Sequence, residues 1–285
     1  MRPAETLRAY VNTWECDEND HLNVQFYFRH FEDAAAHLFA FAGVEAAARP
    51  LPRVRHVRYH RELRVDQSVV GHSHAAEDGS PRLVHVLRNT ADGGIAATAL
   101  DSYESLPEAV ARTAAAGVPE AALPRSLGAE PAQTNGGDAF DGGFATYRGR
   151  LRAGECDRHG RPYDSAIIGR VSDAATQFWT GIGVTPAWLA EQAAGRVAVE
   201  MKLTRGEGGG PDGLVDVHSR LEVVSRSTVS FAHRLVAIET GQVVATVETT
   251  ALTMDLATRR ANRFPEEVRE RLEARIRAGR MEGAW

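Results

Sequence analysis

Phe28-Arg29-His30-Phe31-Glu32-Asp33-Ala34-Ala35-Ala36-His37-Leu38-Phe39-Ala40-Phe41-Ala42-Gly43 sets apolar side chains at Phe28, Phe31, Ala35, Leu38, Phe39 and Ala42. Steps of three and four keep these residues on one stripe of an α-helix, and Gly43 offers the left-handed residue that closes it. A shift of 140 residues carries the stripe onto Ile168, Val171, Ala175, Phe178, Trp179 and Ile182, all apolar, with Gly183 behind them. The same shift lays Glu15-Cys16-Asp17 on Glu155-Cys156-Asp157. Leu106-Pro107-Glu108-Ala109-Val110 matches Phe264-Pro265-Glu266-Glu267-Val268 at a shift of 158, so insertions lengthen the second copy. Two copies of one unit are expected.

Around each helix the pattern changes period. A strand is expected near residues 8–14, then a polar turn over 17–23 that leads into the helix. Beyond it, segments 54–65, 68–76, 82–90 and 95–104 are rich in Val, Thr and aromatic residues and read as an antiparallel meander. Their counterparts are 196–204, 214–224, 228–240 and 242–254, with the glycines of 206–213 as turn chemistry. A short helix opens near Pro107, and a longer, highly charged one over 265–280 is expected on the outside. Residues 113–143 are dominated by Ala, Gly and Pro and form a linker. The expected domains are thus 1–112, a linker over 113–143, and 144–285.

One strand, a long apolar helix and four further strands describe a sheet wrapped around a helix, because only the β-branched segments can cover the stripe. The fold class expected is α+β, a tandem or double hotdog with two antiparallel sheets, each around a long central helix.

Composition narrows the function. At 285 residues and 43% hydrophobic the chain can bury two modest cores. It has no apolar run of 18 residues and no apolar leader after Met1, so neither a membrane partner nor export is expected, and the reading is cytoplasmic. A net charge of −5 without a basic tail argues against a nucleic-acid partner. The two cysteines, Cys16 and Cys156, occupy equivalent positions and suit reduced, buried thiols. His72 and His74 share a strand face without further ligands, so no metal site is expected.

The residues Trp14-Glu15-Cys16-Asp17-Glu18-Asn19-Asp20-His21-Leu22-Asn23, followed by Phe26-Tyr27 and Phe31-Glu32-Asp33-Ala34, resemble the acyl-CoA thioesterases typified by 4-hydroxybenzoyl-CoA thioesterase. The Asp-x-Asn-x-His form is also similar to the thioesterase unit fused to carnitine dehydrogenases. With the order of elements and the Pro-Glu-x-Val endings, the resemblance spans nearly the whole chain outside the linker. It implies hydrolysis of an acyl-CoA thioester, the catalytic carboxylate at Asp17, His21 and Asn23 as neighbours, and no cofactor other than the CoA of the substrate.

Physical chemistry asks for the same parts: a water or carboxylate nucleophile, and a donor for the carbonyl oxygen that gains charge. A helix starting near Asn23 or Val24 presents the amides of Val24, Gln25 and Phe26 as donors. For Asp17 a second reading stays open, a carboxylate that braces the turn, and for Asn23 a simple helix cap. In the second copy Asp157 is kept, Arg161 and Tyr163 replace His21 and Asn23, and His159 falls where Asn19 was. Either that loop only completes the pocket, or Asp157 and His159 form an altered second site. Of the arginines after the first helix, Arg58 is the candidate partner for a CoA phosphate.

Two other classes are weighed beside the thioesterase. A hotdog enoyl-CoA hydratase or dehydratase needs an Asp-x-Asn-Pro-x-His order that this chain lacks, and a non-catalytic acyl-CoA-binding module would keep the pocket without turnover. Two fused units can act as a monomer or assemble into a homo-oligomer.

Overall fold

The computed structural model describes residues 2–115, 117–134 and 143–278. The chain forms two compact units, Met1–Pro131 and Ala132–Trp285. The linker expected over 113–143 is divided between them, and its residues 116 and 135–142 lie outside the described residues, as do 279–280 of the expected last helix.

In the first unit β1 (Ala4–Tyr10) leads through a 3-10 turn at Thr13–Glu15 to α1 (Val24–Phe41), then β2 (Val54–Tyr59), β3 (Ser68–Ala75), β4 (Arg82–Asn89), β5 (Ile95–Ser102) and the single-turn α2 (Glu108–Ala111). The strands are antiparallel in the order β1-β3-β4-β5-β2. The first strand begins earlier than its apolar pattern indicates, because Asn12 to Glu15 is drawn into a turn by the Glu15 carboxylate, which accepts from the Asn12 N–H at 3.0 Å. The segment read as a strand to residue 65 stops at Tyr59, and 60–67 is a loop.

The second unit has β6 (Phe144–Arg150), α3 (Asp164–Gly181), a helix α4 (Pro186–Glu191) that the periodicity did not announce, β7 (Ala194–Arg205), β8 (Leu214–Val224), β9 (Thr228–Ala237), β10 (Val243–Asp255) and α5 (Glu266–Ala278). Its strands are antiparallel in the order β7-β10-β9-β8-β6. The class is α+β, mostly antiparallel strands with few helices.

Both helical stripes are core. Phe28, Phe31 and Leu38 have no exposed surface, and neither do Ile168, Phe178 and Ile182. Each such side chain contributes about 1.5–3 kcal/mol by leaving water. The last helix, expected outside, buries one face: Val268 and Leu272 join Phe264, Trp179 and Phe231 in a single cluster. Its charges occupy the other face, as in any amphipathic surface helix.

A polar row crosses each set of strands beneath the helix. In the first unit the Thr6 and Ser73 hydroxyls are 2.6 Å apart, Ser73 Oγ lies 2.7 Å from His85 Nδ1, and His85 Nε2 lies 3.3 Å from the Asp101 carboxylate. Arg55 grips both oxygens of Asp101 at 2.8 and 2.6 Å. That fork holds the Asp101 carboxyl far below its usual range although burial alone would raise it. The second unit repeats Thr146, Ser219 and His233, but Thr249 and Met201 stand where Asp101 and Arg55 would be.

Described parts of the linker pack against the strands. Thr98 Oγ1 donates to the Ala121 carbonyl at 2.8 Å, and Ala122 is buried against Val84 and Leu100. In the second unit Thr246 Oγ1 donates to the Gln133 carbonyl and the Ala132 N–H to Thr204 Oγ1.

Candidate active site

The loop before α1 is built by its own side chains. Asp17 Oδ1 accepts from the N–H groups of Asn19 at 2.8 Å and His21 at 3.2 Å, and the Asp17 N–H donates to the His21 carbonyl. Asp20 turns the chain in the left-handed region at φ 59°, a conformation Asp tolerates better than most residues. Asn23 is the helix cap: its Oδ1 accepts from Gln25 N–H at 3.0 Å and its carbonyl from Phe26 N–H at 3.0 Å. Of the three amides expected as oxyanion donors, those of Gln25 and Phe26 are therefore engaged. Only Val24 N–H makes no hydrogen bond among the described residues.

Both readings of Asp17 find a place in this geometry. Oδ1 braces the turn, whereas Oδ2 accepts no hydrogen bond among the described residues, and the side chain is half-buried. His21 is buried and its Nε2 lies 3.4 Å from the Glu62 carboxylate. Glu62 sits in the 60–67 loop, which is held to the Asp17 loop by Leu22 N–H donating to the Leu63 carbonyl at 2.8 Å. Tyr27 completes the join: its hydroxyl accepts from Leu63 N–H at 3.1 Å, and burial pushes its phenol well above the usual range. Beneath the loop Glu15 pairs with Arg29, and Asn12 donates to the same carboxylate. These contacts outweigh the upward push of burial and hold Glu15 below its ordinary value.

The second loop has the same backbone and different chemistry. Asp157 Oδ1 accepts from His159 and Arg161 N–H at 2.8 and 2.9 Å, but Oδ2 is taken by the Arg161 guanidinium at 2.8 Å. Burial raises this carboxyl, and the hydrogen bonds from Arg161 more than reverse the effect. Asp66 and Asp212 are both left-handed, and Val11 and Leu151 donate to the carbonyls of Gln67 and Gly213. The shift that carries Asp66 onto Asp212 carries Glu62 onto Gly208. Arg161 thus stands where the first loop has its imidazole, and Gly208 where the facing loop has its carboxylate.

Arg58 is not free for a phosphate, since its guanidinium donates to the carbonyls of Glu120 and Leu123 at 3.0 and 3.1 Å. A long side chain beside a backbone-rich strap is satisfied by the strap. His159 is exposed and enters the loop only through its N–H. Cys16 and Cys156 are free thiols pushed up by burial first and by nearby carboxylates second, the reverse of what a thiolate nucleophile needs. Glu62 and Tyr27 were not among the sequence candidates. The charged run His60-Arg61-Glu62, out of keeping with a covered strand, was the signal available for Glu62. Among the described residues no group of three His, Cys, Asp or Glu is placed to hold a metal. No described helix is long and apolar enough to cross a membrane.

A helix laid against antiparallel strands, with a polar loop at its N-terminus, defines an α+β fold consistent with the hotdog thioesterases. The family model of the thioesterase-like superfamily matches residues 11–103 and 151–272, and the chain belongs to that superfamily. Among solved structures it is similar to an oleoyl thioesterase (putative) from Lactobacillus plantarum, with 14% identity, TM-score 0.63, and 88% of this chain and 97% of the other covered. It is also similar to the 12:0-ACP thioesterase from Umbellularia californica, with 12% identity, TM-score 0.58, and 87% and 93% covered. An acyl-ACP thioesterase from Bacteroides thetaiotaomicron aligns at 9% identity, TM-score 0.58, with 86% and 96% covered. Among curated proteins, none matches.

Proposed function

We propose that this chain is a double hotdog that hydrolyses an acyl-CoA thioester to the free acid and CoA at the loop of its first unit. The observation that carries this reading is the grouping of Asp17, His21 and Glu62 at the N-terminus of α1, in a chain whose superfamily acts on thioesters. Asp17 Oδ2 acts as general base, taking a proton from a water whose oxygen bonds to the carbonyl carbon, or attacks that carbon itself to form an anhydride that water then opens to the free acid and the regenerated carboxylate. The carbonyl oxygen gains charge near Val24 N–H and the positive end of the helix. The C–S bond then breaks, and the sulfur leaves as thiolate and takes up a proton. His21, held toward Glu62, orients water or the leaving sulfur. Asn23 acts through the helix cap, and Gln25 and Phe26 shape the mouth.

The second loop serves as scaffold in this proposal, because Asp157 is saturated by Arg161 and Gly208 replaces the acidic partner. No cofactor enters beyond the CoA of the substrate, and one chain or a homo-oligomer can supply the two units. Two of the similar structures are described as acting on acyl groups carried by ACP, so the carrier belongs in the test. Purified protein is incubated with saturated, aromatic and enoyl acyl-CoAs and with an acyl carrier protein thioester; free thiol is followed with a thiol-reactive dye and the enoyl thioester by its absorbance. Thiol release from acyl-CoA that disappears in Asp17→Asn supports the proposal. Binding of acyl-CoA without release would sink hydrolysis and leave the binding module, and a change in enoyl absorbance without thiol would point to a hydratase.

A further inference from the structure

The second unit carries a cavity of about 520 Å³ that the proposed reaction does not use, between the end of β6, the middle of α3, the start of β8 and the residue after β9. Four of its lining residues are arginines: Arg148, Arg150, Arg152 and Arg170. Two are already spoken for. Arg148 pairs with Asp216 through two bonds of 2.7 Å, and Arg170 is held by Glu155 and the Arg150 carbonyl. Arg150 and Arg152 are exposed, and their guanidinium groups make no ion pair or hydrogen bond among the described residues. The carboxylates in the lining, Glu155 and Asp173, leave it net positive. Glu155 is committed to Arg170, and burial raises the Asp173 carboxyl toward its neutral form.

The rest of the wall is apolar and flat. The Tyr147 ring lies across Gly149 so closely that a Cβ there would collide with it, which explains a glycine inside a strand. Leu214 and Ile238, 47% and 44% exposed, continue that surface. These features belong to the second copy alone: the residues of β1 and its turn that match Arg150 and Arg152 are Tyr10 and Asn12, which bond to Asp66 and Glu15.

Two unpaired guanidinium groups fit phosphate oxygens with two-pronged geometry, and a tyrosine face beside aliphatic side chains fits a planar ring. We infer that this cavity binds a phosphate-bearing molecule with a flat apolar body, of the adenine nucleotide class. The inference does not depend on the hydrolysis proposed for the first unit. Free nucleotide and the nucleotide end of a CoA thioester share this chemistry.

Titration calorimetry on the full chain tests it with ADP, CoA, adenosine and inorganic pyrophosphate. ADP is expected to bind at least about tenfold more tightly than adenosine or pyrophosphate, and to weaken as salt is raised. The exposed pair Arg150→Ala/Arg152→Ala should weaken ADP at least about tenfold with an unchanged thermal transition. Gly149→Ala, which pushes the tyrosine ring aside, should weaken ADP and leave pyrophosphate alone. CoA losing affinity with ADP in the arginine pair assigns the nucleotide end of CoA to the cavity, and loss for ADP alone assigns free nucleotide. The inference is overturned if ADP binds no better than adenosine, or if the arginine pair binds ADP as tightly as the parent.

Discussion

The loop at 16–23 and the loop at 156–163 share one backbone path and differ in what is left over once the path is built. In both, an aspartate spends one oxygen on the N–H groups two and four residues ahead. In the second, an arginine takes the other oxygen, and the facing loop offers glycine where the first offers Glu62. The difference teaches that the aspartate is retained for the turn, and that its use in chemistry depends on its neighbours. A carboxylate bound on every side is stabilised as an ion and a poor base, whereas one with an open oxygen can take a proton.

The largest test exchanges the two aspartates. Asp17→Asn should lower kcat for thiol release by roughly 10²–10⁴, and Asp157→Asn should leave it within about twofold. Equal losses would break the comparison. Next, Glu62→Gln should lower kcat by roughly 10–100-fold with little change in KM, read from steady-state thiol release. At its counterpart a Cβ would stand 2.6 Å from the Gln242 carbonyl oxygen, so Gly208→Ala should cost about 1–3 kcal/mol in urea unfolding, with kcat kept.

The polar rows sharpen the comparison through pH. Burial holds the His233 imidazole down to about 3 from an ordinary 6.5, and its Nε2 finds no acceptor where the first unit has Asp101. The unfolded chain takes up this proton as pH falls below 6.5 and the folded chain does not until about 3. The stability from this group is therefore complete above pH 6.5 and is lost progressively below it. His233→Asn should shallow the decline in unfolding free energy between pH 7 and 4.5, and an unchanged decline would assign the acid sensitivity elsewhere. The smallest effects concern the helix starts. Asn23→Ala should cost about 1 kcal/mol, whereas Tyr163, which supplies no side-chain cap, should gain about 0.5–1 kcal/mol as Tyr163→Asn in chemical denaturation.

Much of the architecture was legible because periodicity records burial. The stripe from Phe28 to Ala42 and its image from Ile168 to Ile182 identified both long helices, and the Val- and Thr-rich segments identified most strands. The misreadings have local causes. Residues 60–65 carry enough Val and Leu to extend a strand pattern, yet Leu63 is buried by turning inward from a loop. The charged last helix is amphipathic, with Val268 and Leu272 docking its inner face and its charges outside. At the site, Asp17, His21 and Asn23 were singled out by the resemblance of their loop to thioesterases, and Asn23 also by its place at the helix start. Arg58 was misassigned because a sequence does not reveal which carbonyls lie beside a cation.

The order of residues alone determined the two long apolar helices, the strands around them and an acidic loop ahead of each helix, since these depend on contacts between chain neighbours. Only the tertiary structure decided that Glu62 meets His21, that Leu63 N–H meets the Tyr27 hydroxyl, and that Arg58 meets the carbonyls of Glu120 and Leu123. Each of those facts joins residues whose approach depends on packing distant segments together, and hydrogen-bond geometry leaves no trace in composition or period.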